Sequence, residues 1–199
     1  MYVARVLYPV EVLGPGKRVG IWFCGCPRRC KGCSNPELWT FQERYRTSPQ
    51  VVYELVLRIA AEHTIDGFTI TGGDPMYQEA ELQELLGLLR GISDDILVYT
   101  GYSIGELSRA ALSGISVLID GAYIESRNTG CALRGSDNQG IHILDPDYRE
   151  KYAAYLNQHR NAIQNFMTAD GVISVGIHRP NFMTELKAGL RRKGLNDDG

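Results

Sequence analysis

The sequence predicts an α/β domain built on a parallel sheet, and three observations carry that expectation. Short apolar runs alternate along the chain with segments of helical periodicity, the order that produces right-handed βαβ crossovers. Runs such as Ile115 to Ile119 are apolar throughout instead of alternating with polar residues, which suits strands covered on both faces. The runs also end in glycine or polar residues, as strands do where a ligand-binding rim forms. At 199 residues the chain reads as one domain over 1–199, with a core over about 10–180 and a C-terminal helix and short tail over about 180–199.

The first strand is expected at about Arg18 to Cys24, running into a cysteine-rich loop. Ser48-Pro49 then reads as an N-cap with proline at N1, opening a helix that ends near His63 and sets Val51, Val52, Leu55, Val56 and Ile59 on one face. Gly67 to Thr71 is a β-rich run broken by Gly72-Gly73. Glu79 to Arg90 is a helix with Leu82, Leu85, Leu86 and Leu89 at helical spacing. Ile96 to Thr100 makes a third strand; Gly101 turns the chain, and Ser103 caps a helix to Leu112. The strand Ile115 to Ile119 ends at Asp120, and Gly121 to Gly140 is a polar, glycine-rich loop without periodicity. A helix over about Asp147 to Asn165, a last strand over Val172 to Ile177 and a final helix from near Pro180 to about Lys193 complete the pattern. Arg191-Arg192-Lys193 suits that helix's last turn, with Gly194 as its cap. The strand ends together deliver one rim: the cysteine loop, Gly72-Gly73-Asp74-Pro75, Tyr99-Thr100-Gly101, Asp120-Gly121 and His178-Arg179-Pro180.

Charge narrows the partners. Lys and Arg number 21 against 23 Asp and Glu, a net charge of −2 that gives no electrostatic footprint for nucleic acid or membrane. Met1 to Val12 lacks the features of a targeting segment, and no window approaches the apolar length of a membrane span, so a cytoplasmic protein is expected. Five cysteines, three of them clustered, favour metal binding over disulfides in a reducing compartment.

Cys26, Cys30 and Cys33 form a C-x3-C-x2-C run. Electron-transfer [4Fe–4S] clusters take four thiolates, so three point to a cluster with one iron open to an outside ligand. A zinc knot would want a second cysteine or histidine pair at tetrahedral spacing, and none follows. Cys24 ends a buried run and reads as a small hydrophobe, though it is the fourth thiol of an alternative, closed metal module. Cys131 reads as an ordinary free thiol, and Trp22 and Trp39 bracket the loop as packing residues. Gly72-Gly73-Asp74-Pro75 permits positive φ and close backbone approach to a zwitterionic ligand, but by itself is also a good turn.

The cysteine run followed by Gly72-Gly73-Asp74-Pro75 resembles the radical S-adenosylmethionine superfamily. Gly14-Pro15-Gly16-Lys17-Arg18, Gly25-Cys26-Pro27, Cys30 to Trp39, Asp120-Gly121 and Leu133 to Gln139 narrow the likeness to the activating enzymes of anaerobic ribonucleotide reductase, which are glycyl-radical activases. The likeness covers about residues 10–140 and implies a partial (β/α)6 barrel. It also implies a [4Fe–4S] cluster on Cys26, Cys30 and Cys33, whose open iron chelates S-adenosylmethionine. Gly72, Gly73, Asp74 and Pro75 would hold that ligand's amino group, with Thr100, Asp120 and His178 as further ligand-binding candidates. An external reductant of flavodoxin or ferredoxin type would supply one electron. The resulting 5′-deoxyadenosyl radical would take hydrogen from a glycine of a partner enzyme, so no catalytic side chain is expected. Arg134 and Asn138 would face ligand or partner, or simply order their loop. Gly32 stands where the superfamily usually has an aromatic residue, and the tail after about 145 is long for a compact activase. The competing enzyme class acts on a small molecule or peptide, in the manner of 7-carboxy-7-deazaguanine synthase.

Overall fold

The computed structural model describes residues 1–158, 161–168 and 171–192. The sheet begins earlier than the sequence suggests, with β1 (Val3–Val10) pairing antiparallel to β2 (Arg18–Phe23). All of β1 except Val10 is only half-buried, and Pro9 is tolerated because an edge strand leaves one row of N–H groups unpaired. The predicted crossovers follow. Ser48 Oγ accepts the Val51 N–H at 3.3 Å and starts α1 (Pro49–Glu62), which leads to β3 (Gly67–Gly72). Then α2 (Glu79–Leu89) leads to β4 (Ile96–Tyr99).

After β4 the expected helix from Ser103 to Leu112 does not form. The capping box is present, with the Ser103 N–H donating to Glu106 Oε2 at 2.6 Å, yet it nucleates only a 3-10 turn over Ile104–Glu106 before Leu107 turns extended. Ile104, Leu107 and Leu112 still pack on the core, but Leu107 leaves the helical region and the chain reaches the next strand through turns. β5 (Val117–Asp120) follows, and β6 (Gly140–Ile143) pairs antiparallel with it. The six-stranded sheet therefore has the order β1-β2-β3-β4-β5-β6, parallel from β2 to β5 and antiparallel at both edges.

The C-terminal part corrects the sequence reading most. The helix expected to Asn165 is α3 (Arg149–Gln158), and its supposed last turns belong to β7 (Ile163–Thr168). The strand ending before His178 is β8 (Gly171–Gly176), which pairs antiparallel with β7 in a separate two-stranded sheet and not in the parallel one. α4 (Phe182–Arg192) follows. His159, Lys193 and the expected Gly194 cap lie outside the described residues.

Period-two alternation sends neighbouring side chains of the central strands into different cores. Ile96, Val98 and Leu118 meet Val52 and Val56 of α1 and Leu82, Leu85, Leu86 and Leu89 of α2. Val51 and Leu55, read as part of the inner face of α1, are exposed instead. Leu97, Val117 and Ile119 face the other way, onto Tyr152 and Tyr155 of α3. The hairpin docks through Val175 on Val10, Leu13, Trp22 and Leu38.

At the foot of the parallel strands Arg18 is fully buried. Its guanidinium donates to Thr69 Oγ1 at 2.8 Å, to the Phe68 carbonyl at 2.5 Å and to Asp95 Oδ1 at 3.0 Å. Asp95 also accepts from Lys151 Nζ at 2.6 Å and Tyr152 OH at 2.7 Å. Burial pushes the Asp95 carboxyl up, but its cationic and hydroxyl partners outweigh burial and hold it below the usual carboxylate range.

Candidate functional site

At the opposite, carboxyl ends of β2 to β5 the chain closes a loop on itself. The Gly25 N–H donates to the Leu38 carbonyl at 2.8 Å and the Cys26 N–H to the Trp39 carbonyl at 2.9 Å, so residues 26–38 form a closed bay. The end of β3 then locks against its base: Gly73 N–H donates to Phe23 O at 2.7 Å and Asp74 N–H to Gly25 O at 2.8 Å. Only glycine fits there. Gly72 has φ of +108°, and a Cβ on it would lie 2.4 Å from the Phe23 carbonyl, as would one on Gly73 from the Gly25 carbonyl. The paired glycines thus clasp the cysteine loop.

A half-open cleft, about 1040 Å³ with the solvent at its mouth included, lies over this junction. Cys26, Cys30, Cys33, Gly72, Gly73, Thr100 and His178 all line it, so those sequence candidates come together. Leu13, Trp22, Tyr99, Val175 and Ile177 supply apolar wall. Asp74, Pro75 and Asp120 lie outside the lining. Asp74 is buried, with Oδ1 accepting from Met76 N–H at 3.1 Å and Thr100 Oγ1 at 2.8 Å and Oδ2 from Gly101 N–H at 2.9 Å. Burial pushes its carboxyl up despite those donors. The residue therefore ties β3 to the end of β4. Asp120 Oδ2 accepts from the Ile104 N–H at 2.6 Å and Oδ1 from the Gly140 N–H at 3.1 Å. His142 Nε2 stands 2.9 Å from the same Oδ1, an ion-pair distance at an angle short of a hydrogen bond. Burial opposes ionisation of Asp120, yet these partners hold its carboxyl below the ordinary value.

Burial pushes the Cys26 and Cys33 thiols up, which backbone N–H groups near each sulfur partly offset. Iron removes that obstacle by displacing the proton. Among the described residues no group of three or more Cys, His, Asp or Glu side chains is placed to hold a metal ion. Cys26, Cys30 and Cys33 line one cleft all the same, and a [4Fe–4S] cluster does not ask its thiols to meet at one ion, since each ligates a different iron. Cys24 does not join them: its fully buried thiol donates to the Thr40 carbonyl at 2.9 Å, away from the cleft lining.

His178 places Nε2 3.0 Å from Ser174 Oγ and stacks on Phe182 at 4.5 Å, and burial pushes its pKa below the ordinary value, which favours the neutral ring. Trp22 and Trp39, read as packing residues, also line the cleft. Arg134 and Asn138 order their own loop, through the Gln139 carbonyl at 3.3 Å and the Ala122 carbonyl at 2.7 Å. Sequence reasoning misses Arg28, Tyr123, Gln139 and the stretch Ser174 to Ile177 in the lining. Arg28 follows the first thiol and stacks on Tyr102 at 4.5 Å, and only its place beside the cysteines could have signalled it.

An α/β sheet carrying three thiols at the carboxyl ends of its strands defines an iron–sulfur protein, and the sequence matches the 4Fe-4S single cluster domain over residues 12–142. The chain is 34% identical over 146 residues to the anaerobic ribonucleoside-triphosphate reductase-activating protein of Vibrio cholerae, covering 68% of this chain and 94% of that protein. The counterpart from Enterobacteria phage T4 is 34% identical over 141 residues, 68% of this chain and 90% of its own. The pyruvate formate-lyase-activating enzyme of Clostridium pasteurianum is 26% identical over 131 residues, 64% of this chain and 55% of that enzyme. The chain belongs to the 4Fe-4S single cluster domain family, and within it to the anaerobic ribonucleoside-triphosphate reductase-activating proteins.

Proposed function

We propose that the chain is a radical S-adenosylmethionine enzyme that generates a glycyl radical on a partner of the anaerobic ribonucleotide reductase type. The observation that carries this reading is the convergence of Cys26, Cys30 and Cys33 with Gly72-Gly73 on one cleft. In it, Cys26, Cys30 and Cys33 would hold a [4Fe–4S] cluster and leave it open to S-adenosylmethionine. When bound, the cluster and S-adenosylmethionine would supply one-electron reductive cleavage of the sulfonium, with methionine released and the electron coming from an outside reductant, for removal of a hydrogen atom from the partner's glycine.

The chain's residues supply position and exclusion. Gly72 and Gly73 bring backbone to the cleft without side chains in the way, and Asp74, through Thr100 and Gly101, sets how far β3 and β4 splay there. Leu13, Trp22, Tyr99, Val175 and Ile177 keep water from a reactive radical. Asp120 acts through Ile104 and Gly140 to fix the neighbouring loop, while Thr100 and neutral His178 offer uncharged groups to the ligand.

This reading takes residues 1–199 as one domain and the six-stranded sheet with its helices as a partial (β/α)6 barrel. It takes a flavodoxin or ferredoxin as electron donor and the cytoplasm as location, without nucleic-acid or membrane partners. The near-balanced charge supports it, as does the absence among the described residues of a helix long and apolar enough to cross a membrane. The test is anaerobic incubation of the reconstituted protein with S-adenosylmethionine, reductant and a candidate reductase subunit. A glycyl EPR signal on that subunit is expected; cleavage of S-adenosylmethionine with no such signal on any candidate partner rejects the activase assignment.

A further inference from the structure

Trp39 has an unusual position for a packing residue. It lines the cleft that holds the three thiols, yet its indole Nε1 is buried with no hydrogen-bond partner, sulfur included. An orphaned indole N–H is costly unless something in the site receives it. The acceptor nearest to hand is the Cys33 thiol, close enough to feel the indole N–H but with no hydrogen bond formed between them, and itself receiving the Asn35 N–H at 3.4 Å. The position is fixed by backbone: the Trp39 carbonyl accepts the Cys26 N–H at 2.9 Å, and the Trp39 N–H donates to the Pro36 carbonyl at 3.3 Å. The side chain is thereby carried on the bond that closes the cysteine bay.

We infer that Trp39 is a positioning residue that donates its indole N–H to the Cys33 sulfur of the bound cluster and raises the cluster's reduction potential. The inference rests on the cluster assignment proposed above. A thiol is a weak acceptor, whereas an iron-bound thiolate is a strong one, so the contact tightens when Cys33 becomes a ligand. Reduction adds negative charge to the cluster and its sulfurs, and a donor on one sulfur stabilises the reduced form more than the oxidised form. The burial of Nε1 keeps water from competing for the same donor. The physical use is plain, since one-electron reduction must precede cleavage of S-adenosylmethionine.

The test is a redox titration of the reconstituted cluster, followed by EPR in the absence of S-adenosylmethionine, for wild type, Trp39→Phe and Trp39→His. Trp39→Phe keeps an aromatic ring and removes the donor; about a tenfold less favourable reduction equilibrium is expected, about 59 mV lower for a one-electron couple. Trp39→His restores a ring N–H and recovers part of the shift. A Trp39→Phe midpoint equal to wild type overturns the inference, as does a Trp39→His midpoint no higher than that of Trp39→Phe. A second reading needs no substitution at Trp39: protein carrying Trp22→Phe and ¹⁵N-indole tryptophan shows a nitrogen coupling to the reduced cluster, and its absence also overturns the inference. Failure of wild type to form a [4Fe–4S] signal rejects instead the cluster assignment beneath it.

Discussion

Arg18 and Asp95 show how a single buried pair anchors the end of the molecule farthest from the cleft. Both are almost wholly buried, and each is satisfied by several partners. Removing one partner leaves the other as an uncompensated buried charge, so Asp95→Ala is expected to cost about 3–5 kcal/mol in denaturant unfolding. The sign of the pH effect follows from the depressed Asp95 carboxyl. The unfolded carboxyl titrates near about 3.9, so the stabilisation is complete above that pH and is lost as pH falls through the lower folded value. The drop in unfolding midpoint below about pH 4 should be smaller in Asp95→Asn than in wild type. Residue roles were unevenly legible in the sequence. The three thiols stood out by their close spacing in one short loop, and the fold brings all three to one cleft. The indole of Trp39 and the lining by Arg28, Tyr123 and Gln139 did not, because no spacing rule specifies which side chains a folded loop turns inward.

At the scale of elements, local signals succeeded where a segment packs on the central sheet. Ser48-Pro49 started α1, the leucines of α2 were found at their helical spacing, and β2 to β5 fell where apolar runs end in glycine or polar residues. They failed where tertiary pairing decides. Ile163 to Asn165, read as the end of the helix from Asp147, instead opens β7, which pairs along its length with β8. The hairpin is pinned to the main sheet by Gln164, whose Oε1 accepts the Glu11 N–H at 3.0 Å and whose Nε2 donates to the Pro9 carbonyl at 2.7 Å. Gln164→Ala should cost about 1 kcal/mol and act locally. Amide exchange is expected to accelerate across β7 and β8 while β2 to β5 keep wild-type protection; uniform acceleration would show that the hairpin belongs to the same cooperative unit as the sheet.

The whole molecule separates its tasks along the strand direction. A satisfied ionic network closes the amino ends of the parallel strands, and the carboxyl ends carry the cysteine bay, the glycine clasp and the cleft. That polarity was legible in the sequence, since alternation implies parallel strands and parallel strands place ligands at one end. The antiparallel edges were not, because β1 and β6 are mostly half-buried segments defined by the neighbour they pair with. The family match ends at residue 142, yet Ser174 to His178 complete the cleft wall. A part of the chain outside the shared sequence therefore helps shape the cleft. The most direct measurement on the open-iron site is EPR of the anaerobically reconstituted, reduced protein with and without S-adenosylmethionine, repeated in Cys24→Ala and Cys33→Ala. A [4Fe–4S] signal that changes on adding S-adenosylmethionine, persists in Cys24→Ala and disappears in Cys33→Ala is expected. A signal indifferent to S-adenosylmethionine, or one lost with Cys24, contradicts a three-thiolate cluster with an iron open to ligand.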